Sequence, residues 1–215
     1  MKLNKFGTMC VAVLAIVTTV SAVRADELGG NLGFENPMGA LNAVPTDNNW
    51  FGFTGPGATG VGQNTIDPRT GAQHAEIVIL NTGNSFAGIQ QIENAITVGS
   101  AYSFSFFGKT DGGTFNVGNE YRIEWINSGG AEISRVQLTN PFTNAYTQYT
   151  VGGIAPAGAV QLRAVIALQS FQGGISGTAR IDDTSIQGPA VIPEPGSIAL
   201  LGLGLVGMVA RRRRS

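Results

Sequence analysis

The sequence predicts an all-β protein, a jelly-roll β-sandwich of two antiparallel sheets, with a targeting segment at each end. Short alternating or β-rich runs recur between Asp26 and Ala190, separated by glycine, asparagine and proline. The same stretch has no convincing helical periodicity. Its length of about 165 residues suits one domain with a substantial core. About nine strands in one such domain are typical of a jelly roll.

The strands follow from the alternation of apolar and polar residues. We expect strands at residues 31–35, within 47–62, and at 75–80, 88–92, 101–107, 121–126, 131–138, 147–151, 160–168 and 178–186. Residues 127–130 and 155–158 read as turns. Alternation places Tyr121, Ile123 and Trp125 on the core face of one strand, and Arg122 and Glu124 on the other face.

Residues 1–25 read as a secretory signal peptide, which implies passage through the Sec translocon. Lys2 and Lys5 precede an apolar region at residues 9–20, and we expect cleavage after Ala25, with Ala22 as the alternative. An uncleaved anchor helix is the competing interpretation. Cys10 is the only cysteine and lies in this segment, so the exported domain, residues 26–190, has no disulfide.

Residues 191–215 combine three elements in a fixed order. A Pro-Glu-Pro motif (Pro193, Glu194, Pro195) precedes an uncharged run at 198–210, and four arginines follow (Arg211, Arg212, Arg213, Arg214). The run predicts a single hydrophobic helix, although it is shorter than the roughly 20 residues of a stable membrane span. The arginines favour the cytoplasmic side. A buried C-terminal core helix is the alternative, which the arginines argue against.

This segment resembles the PEP-CTERM sorting signal of Gram-negative bacteria in all three elements. The resemblance implies recognition by an exosortase and cleavage near the Pro-Glu-Pro motif. It also implies export across the inner membrane, a transient membrane anchor, and a final location at the cell surface or in the extracellular matrix. Such proteins are commonly associated with exopolysaccharide and biofilm.

The charge balance excludes one class of partner. The formal net charge is −1, and seven of the basic residues lie in the two targeting segments (Lys2, Lys5, Arg24, Arg211, Arg212, Arg213, Arg214). The exported domain is therefore acidic and lacks the basic surface that nucleic-acid binding requires.

The two ends of the exported domain resemble carbohydrate-binding modules of the galactose-binding-like class. The opening stretch 31–35 (NLGFE) is similar to their N-x-x-F-E start, and 177–186 (GTARIDDTSI) is similar to their closing strand. Residues 155–162 resemble the turn and strand that precede it. The resemblance implies the jelly roll, and it does not establish sugar binding, because this fold serves many functions.

Three acidic residues are candidate ligands for a structural calcium ion. Glu35 lies at the start of the domain and Asp182 and Asp183 near its end, where first and last strands can be neighbours. Calcium prefers carboxylate and carbonyl oxygens, and the resembling modules often carry a calcium ion there. We expect Asp183 to point inward as the better ligand and Asp182 toward solvent. The alternative is that these carboxylates cap turns or pair with Arg180 or Arg163.

Aromatic and charged side chains are candidates for ligand binding. Trp50 and Phe53, with Phe51, cluster in a loop-rich region, and exposed aromatic rings stack on sugars. A core role for Trp50 is the alternative. Arg122 and Glu124 could bind sugar hydroxyls from an exposed sheet face, or form a cross-strand ion pair.

The sequence gives little support for catalysis. His74 is the only histidine, and we expect it in a loop. Common nucleophile, zinc-protease and phosphate-binding motifs are absent from the sequence. We therefore predict a non-catalytic exported protein that binds extracellular polysaccharide. The alternative is a structural matrix protein that acts by self-association or surface attachment.

Overall fold

The computed structural model describes residues 25–55, 59–79, 85–94, 96–111, 118–170 and 176–189. The predicted C-terminal segment and all of the predicted signal peptide except Ala25 lie outside the described residues. Within those ranges, no helix is long and apolar enough to cross a membrane.

Eleven strands make up the described chain. They are β1 (Asp26–Glu27), β2 (Phe51–Thr54), β3 (Thr59–Asn64), β4 (His74–Ile79), β5 (Ser85–Glu93), β6 (Ala101–Thr110), β7 (Gly118–Ile126), β8 (Glu132–Leu138), β9 (Thr147–Ile154), β10 (Gln161–Ser170) and β11 (Gly177–Gly188). The predicted strands from residue 75 onward are confirmed, and most are longer than predicted.

The strands form two antiparallel sheets. One is six-stranded, with the order β3-β4-β11-β6-β9 and β1 paired to β11, and the other is five-stranded, with the order β2-β5-β10-β7-β8. From β4 onward the chain crosses from one sheet to the other at almost every connection, and β11 returns beside β4. This is the jelly-roll sandwich that the sequence predicts.

The core lies between the sheets and is rich in aromatic rings. Alternating residues of β6 and β7 point into it, as predicted, including Phe104, Phe106, Ile123 and Trp125. Phe106 packs on the rings of Phe104, Tyr121, Phe142 and Tyr149, with ring centroids 5.3–5.8 Å apart. Burial of these large side chains is the main term that holds the sheets together.

The strand predicted at residues 31–35 is wrong, because this stretch is a turn. Asn31 and Phe34 have φ angles of 50° and 58°, which no extended strand allows. The Asn31 side chain closes the turn by donating to the Asn36 carbonyl at 2.7 Å and accepting from the Asn36 N–H at 2.9 Å. Phe34 is still fully buried in the core.

The connections β5–β6, β7–β8 and β9–β10 lie together at one end of the sandwich. The register shows this, because Glu93 pairs with Leu162, Ala101 with Ile154, and Ile126 with Gln161. The last described residues follow β11 at the same end, where Gln187 pairs with Ser103. We call this the exit end of the domain.

Candidate functional site

The outer face of the five-stranded sheet carries most of the predicted ligand-binding residues. Arg122 and Glu124 alternate with the buried Tyr121, Ile123 and Trp125 along β7 and therefore point away from the core. Their neighbours on β10, Val165 and Arg163, lie directly across the strand pair.

A hollow of about 480 Å³ opens on this face. Its lining residues come from β2, β5, β7 and β10 and are Phe53, Ser85, Phe86, Glu120, Arg122, Ala167 and Gln169. The hollow lies toward the end of the sandwich opposite the exit end, since Ser85 and Gln169 are near the far ends of β5 and β10. It combines an aromatic wall with a charged one.

The aromatic wall consists of Phe53 and Phe86. Their ring centroids are 6.4 Å apart and the rings are tilted by 46°. Phe86 is 42% exposed, so a large part of its ring is open to solvent. Gly88 makes this arrangement possible, because a Cβ at its position would lie 2.4 Å from Cζ of Phe53. Partly exposed rings of this kind can stack on the apolar face of a sugar.

The charged wall consists of Glu120 and Arg122, which belong to an ion-pair network centred on Glu124. The Glu124 carboxylate accepts hydrogen bonds from Nε of Arg122 at 2.5 Å and from Nε of Arg163 at 2.6 Å. Arg122 also pairs with Glu120. The side chain of Glu124 is only 4% exposed, so each group is held in place by its partners. The network can present guanidinium donors and carboxylate acceptors to hydroxyl groups without reorganising.

Trp50 does not belong to this site, and its predicted ligand-binding role is wrong. Its side chain is fully buried, and its ring lies 5.7 Å from Phe34 and 5.9 Å from Phe104. Trp50 directly precedes β2, where alternation turns Phe51 and Phe53 to the outer face and Trp50 to the core. The alternative interpretation, a core role, is the correct one.

The three predicted calcium ligands converge on the loop between β3 and β4, residues 65–73. Asp182 Oδ2 accepts from the backbone N–H groups of Arg69 at 2.8 Å and Thr70 at 3.1 Å. Glu35 Oε1 accepts from the N–H groups of Ala72 at 2.9 Å and Gln73 at 3.2 Å. The three carboxylates thus connect this loop to the first and last parts of the domain's sequence.

The predicted orientations of the two aspartates are wrong. Asp182 is fully buried, whereas the Asp183 side chain is 25% exposed and pairs with Arg69. A β-bulge follows Asp182, and Asp183 has a φ of 46°, so the simple alternation fails here. Burial raises the pKa of Asp182, against the lowering effect of its backbone hydrogen bonds.

N–H groups, the Thr70 hydroxyl and the Arg69 guanidinium donate to both oxygens of Asp182 and Asp183 and to Oε1 of Glu35. No group of three acidic, histidine or cysteine side chains in the described ranges is arranged to hold a metal ion. The calcium site at Glu35, Asp182 and Asp183 stays a prediction.

His74 is not in a loop, as the sequence suggested, but is the first residue of β4 and is fully buried. Burial lowers its pKa, and the nearby Arg180 lowers it further. Neither ring nitrogen has a hydrogen-bond partner among the residues that the structure describes. Within the described part of the chain, the imidazole has no surface open to solvent.

Sequence reasoning missed Phe86, Glu120, Arg163 and Gln169 as lining or supporting residues. Extending the alternation of β5 by two residues would have placed Phe86 on the same face as Gln90. The same extension on β7 and β10 finds Glu120 and Gln169. No local signal shows that β2 lies beside β5, and this pairing brings Phe53 to Phe86.

Comparison with known proteins identifies the C-terminal segment. Residues 191–214 match the model of the PEP-CTERM protein-sorting motif. No curated protein matches the chain.

Solved structures share the fold of the described domain. The CBM22-1 xylan-binding domain of Paenibacillus barcinonensis Xyn10C has a TM-score of 0.56 and 12% identity, over 80% of this chain and 99% of that domain. A carbohydrate-binding module of the β-sandwich superfamily has a TM-score of 0.52 and 14% identity, over 74% of this chain and 62% of the other.

The enzymatically active domain of tailspike protein 4 from bacteriophage CBA120 is also similar. Its TM-score is 0.55 and its identity 15%, and the match covers 74% of this chain. The chain spans only 20% of that tailspike domain. At these identities, the similarity shows the fold and leaves the ligand to be argued from the site.

Proposed function

We propose that this chain is exported, is processed by an exosortase at its PEP-CTERM segment, and binds extracellular polysaccharide through the hollow on its five-stranded sheet. The protein acts as a non-catalytic surface or matrix component. The observation that carries the proposal is the hollow itself, where an aromatic wall faces an ion-pair network.

The chemistry of the hollow suits a polysaccharide. A sugar ring has an apolar face, which fits the rings of Phe53 and Phe86, and a rim of hydroxyl groups, which fits Arg122, Glu120 and Gln169. The open volume of about 480 Å³ has the size of a small-ligand pocket and lies on an open sheet face. A long chain can therefore cross the face while one or two rings occupy the hollow.

The alternative is a structural matrix protein that self-associates through its sheet edges. Strand β8 is an edge strand, and most of its residues are exposed. However, Glu132 and Arg135 on this strand form an ion pair in solvent, and charged side chains on an edge oppose pairing with another chain. The ion pair on β8 thus argues against self-association through this edge, and the hollow favours polysaccharide binding.

The test is a binding assay with the secreted chain and a panel of bacterial exopolysaccharides, with retardation in polysaccharide-containing gels as the measurement. Phe53→Ala should weaken binding about tenfold, equivalent to about 1.4 kcal/mol, as expected for a stacking residue at the centre of a site. Phe107→Ala is the matched control, since Phe107 is a partly exposed ring on the outer face of the other sheet, beneath Arg69.

Three outcomes are informative. Loss of binding in Phe53→Ala with an unchanged melting temperature supports the hollow as the site. Equal loss in Phe53→Ala and Phe107→Ala contradicts it. Absence of binding to every polysaccharide, together with concentration-dependent association of the chain, would favour the structural alternative.

A further inference from the structure

The exit end of the domain has an uncharged surface with exposed aliphatic side chains. Its three connections, residues 94–100, 127–131 and 155–160, contain no charged residue. Four aliphatic side chains are exposed there: Val98 by 49%, Ile133 by 40%, Ile154 by 65% and Val160 by 45%. Exposed aliphatic side chains that gather at one place mark an interaction surface.

Contacts between the connections show that these side chains belong to one surface. The N–H of Gly99 donates to the Ala155 carbonyl at 2.8 Å, which joins the Val98 turn to the end of β9. The N–H of Val160 donates to the Ile126 carbonyl at 2.9 Å, which joins the turn after β9 to the end of β7. A Cβ at Gly158 would lie 3.7 Å from Cδ1 of Ile133. These contacts place the connections that carry the four residues next to one another.

The chain also leaves the domain at this end. Gly188, the last residue of β11, pairs with Asp26, and the preceding Gln187 pairs with Ser103 of β6. On the same strand β6, Ala101 pairs with Ile154. The sorting segment begins at residue 191, two residues beyond Pro189. Its apolar run starts at Ile198, nine residues after Pro189, a span of at most about 30 Å.

We propose that the exit end, with Val98, Ile133, Ile154 and Val160 at its surface, lies on the lipid bilayer while the chain is anchored by its sorting segment. The inference rests on the proposed function, because exosortase processing at the PEP-CTERM segment implies a transient membrane anchor. The short tether keeps this end of the domain within reach of the membrane. The hollow, toward the opposite end, then faces away from the lipid and toward the extracellular polymer.

The chemistry of the surface indicates an apolar contact and not an electrostatic one. The three connections offer no cation to anionic lipid headgroups. Glu27, one of the two acidic residues of β1, accepts hydrogen bonds from Ser185 at 2.5 Å and from the N–H of Ile186 at 2.8 Å. Aliphatic side chains without flanking lysines insert shallowly into the headgroup boundary, and salt does not weaken this contact.

The experiment uses the full chain in nanodiscs of phosphatidylcholine, with Cys10→Ser as the background. An environment-sensitive dye is attached through Val160→Cys at the exit end or through Asn144→Cys at the opposite end. Leu205→Cys, in the apolar run, reports on anchoring. Lipids that carry a doxyl quencher identify contact with the bilayer.

We expect the dye at residue 160 to shift to the blue and lose emission to the doxyl lipid, as the dye at 205 does, while the dye at 144 does neither. Ile154→Ser, at a highly exposed position, should reduce the quenching at 160 without lowering the melting temperature.

Quenching at 205 without quenching at 160 overturns the docking while anchoring stands. A blue shift at 160 without lipid quenching means that protein covers the surface, and this also overturns it. Absence of quenching at 205 removes the premise, and binding of polysaccharide by the same sample tests the other half of the proposed function separately.

Discussion

Glu93 should make the stability of this domain fall as the pH rises, and Glu93→Gln should abolish that fall. Glu93 is the last residue of β5 and is 5% exposed. Its Oε1 has no hydrogen-bond partner in the described part of the chain. Burial raises its pKa from 4.5 to about 8, and the nearby carboxylates of Asp47 and Glu27 contribute to the increase.

The direction and size of the effect follow from proton linkage. Between pH 4.5 and 8 the unfolded chain has lost the proton that Glu93 keeps in the fold, so rising pH favours unfolding. Each pH unit in that interval costs about 1.4 kcal/mol. The free energy of unfolding should therefore drop by about 3 kcal/mol between pH 4 and pH 7 on account of this one group. Below pH 4.5 the group is protonated in both states and has no effect.

Urea denaturation of the wild type and of Glu93→Gln, measured from pH 4 to pH 9, tests this. The two proteins should be about equally stable at pH 4, and the glutamine variant should be about 3 kcal/mol more stable at pH 7. Glu132→Gln is the control with the opposite sign, because a hydrogen bond from Arg135 lowers the pKa of Glu132. Loss of the Glu132 carboxylate should destabilise the protein at neutral pH and not at low pH. Parallel pH profiles for the wild type and Glu93→Gln would refute the reasoning.

Two further predictions concern the charged clusters. Glu124→Gln should lower the free energy of unfolding by about 2–3 kcal/mol, because it leaves two guanidinium groups without their shared partner; Arg122 keeps Glu120, which limits the loss. Chemical denaturation measures this, and a loss below 0.5 kcal/mol, or about what a surface pair contributes, would contradict it. If Glu35, Asp182 and Asp183 hold calcium, a chelator should lower the melting temperature and added Ca²⁺ should restore it; identical melts with and without chelator would remove the calcium site.

The alternation of apolar and polar residues was sufficient to predict the strands from residue 75 onward and the sandwich as a whole. Side chains alternate across a strand with a period of two, so a run such as 101–107 shows both its conformation and its buried face. The same reasoning placed Trp125 in the core and Arg122 and Glu124 outside it, and the structure confirms both. The sorting motif at residues 191–214 can also be recognised from a short stretch of sequence, because the order of its elements identifies it.

Tertiary structure alone decided where alternation stops and which strands meet. The turn at residues 31–35 and the bulge after Asp182 both depend on positive φ angles, which a pattern of apolar residues does not report. Trp50 is buried because the chain before β2 packs on Phe34 and Phe104, two contacts that are distant in sequence. The hollow exists because β2 pairs with β5 and β5 with β10. These pairings join residues that are far apart in the sequence. Each pairing forms only if the surface that it buries outweighs the entropy lost in closing a long loop, and a short stretch of sequence reports neither quantity.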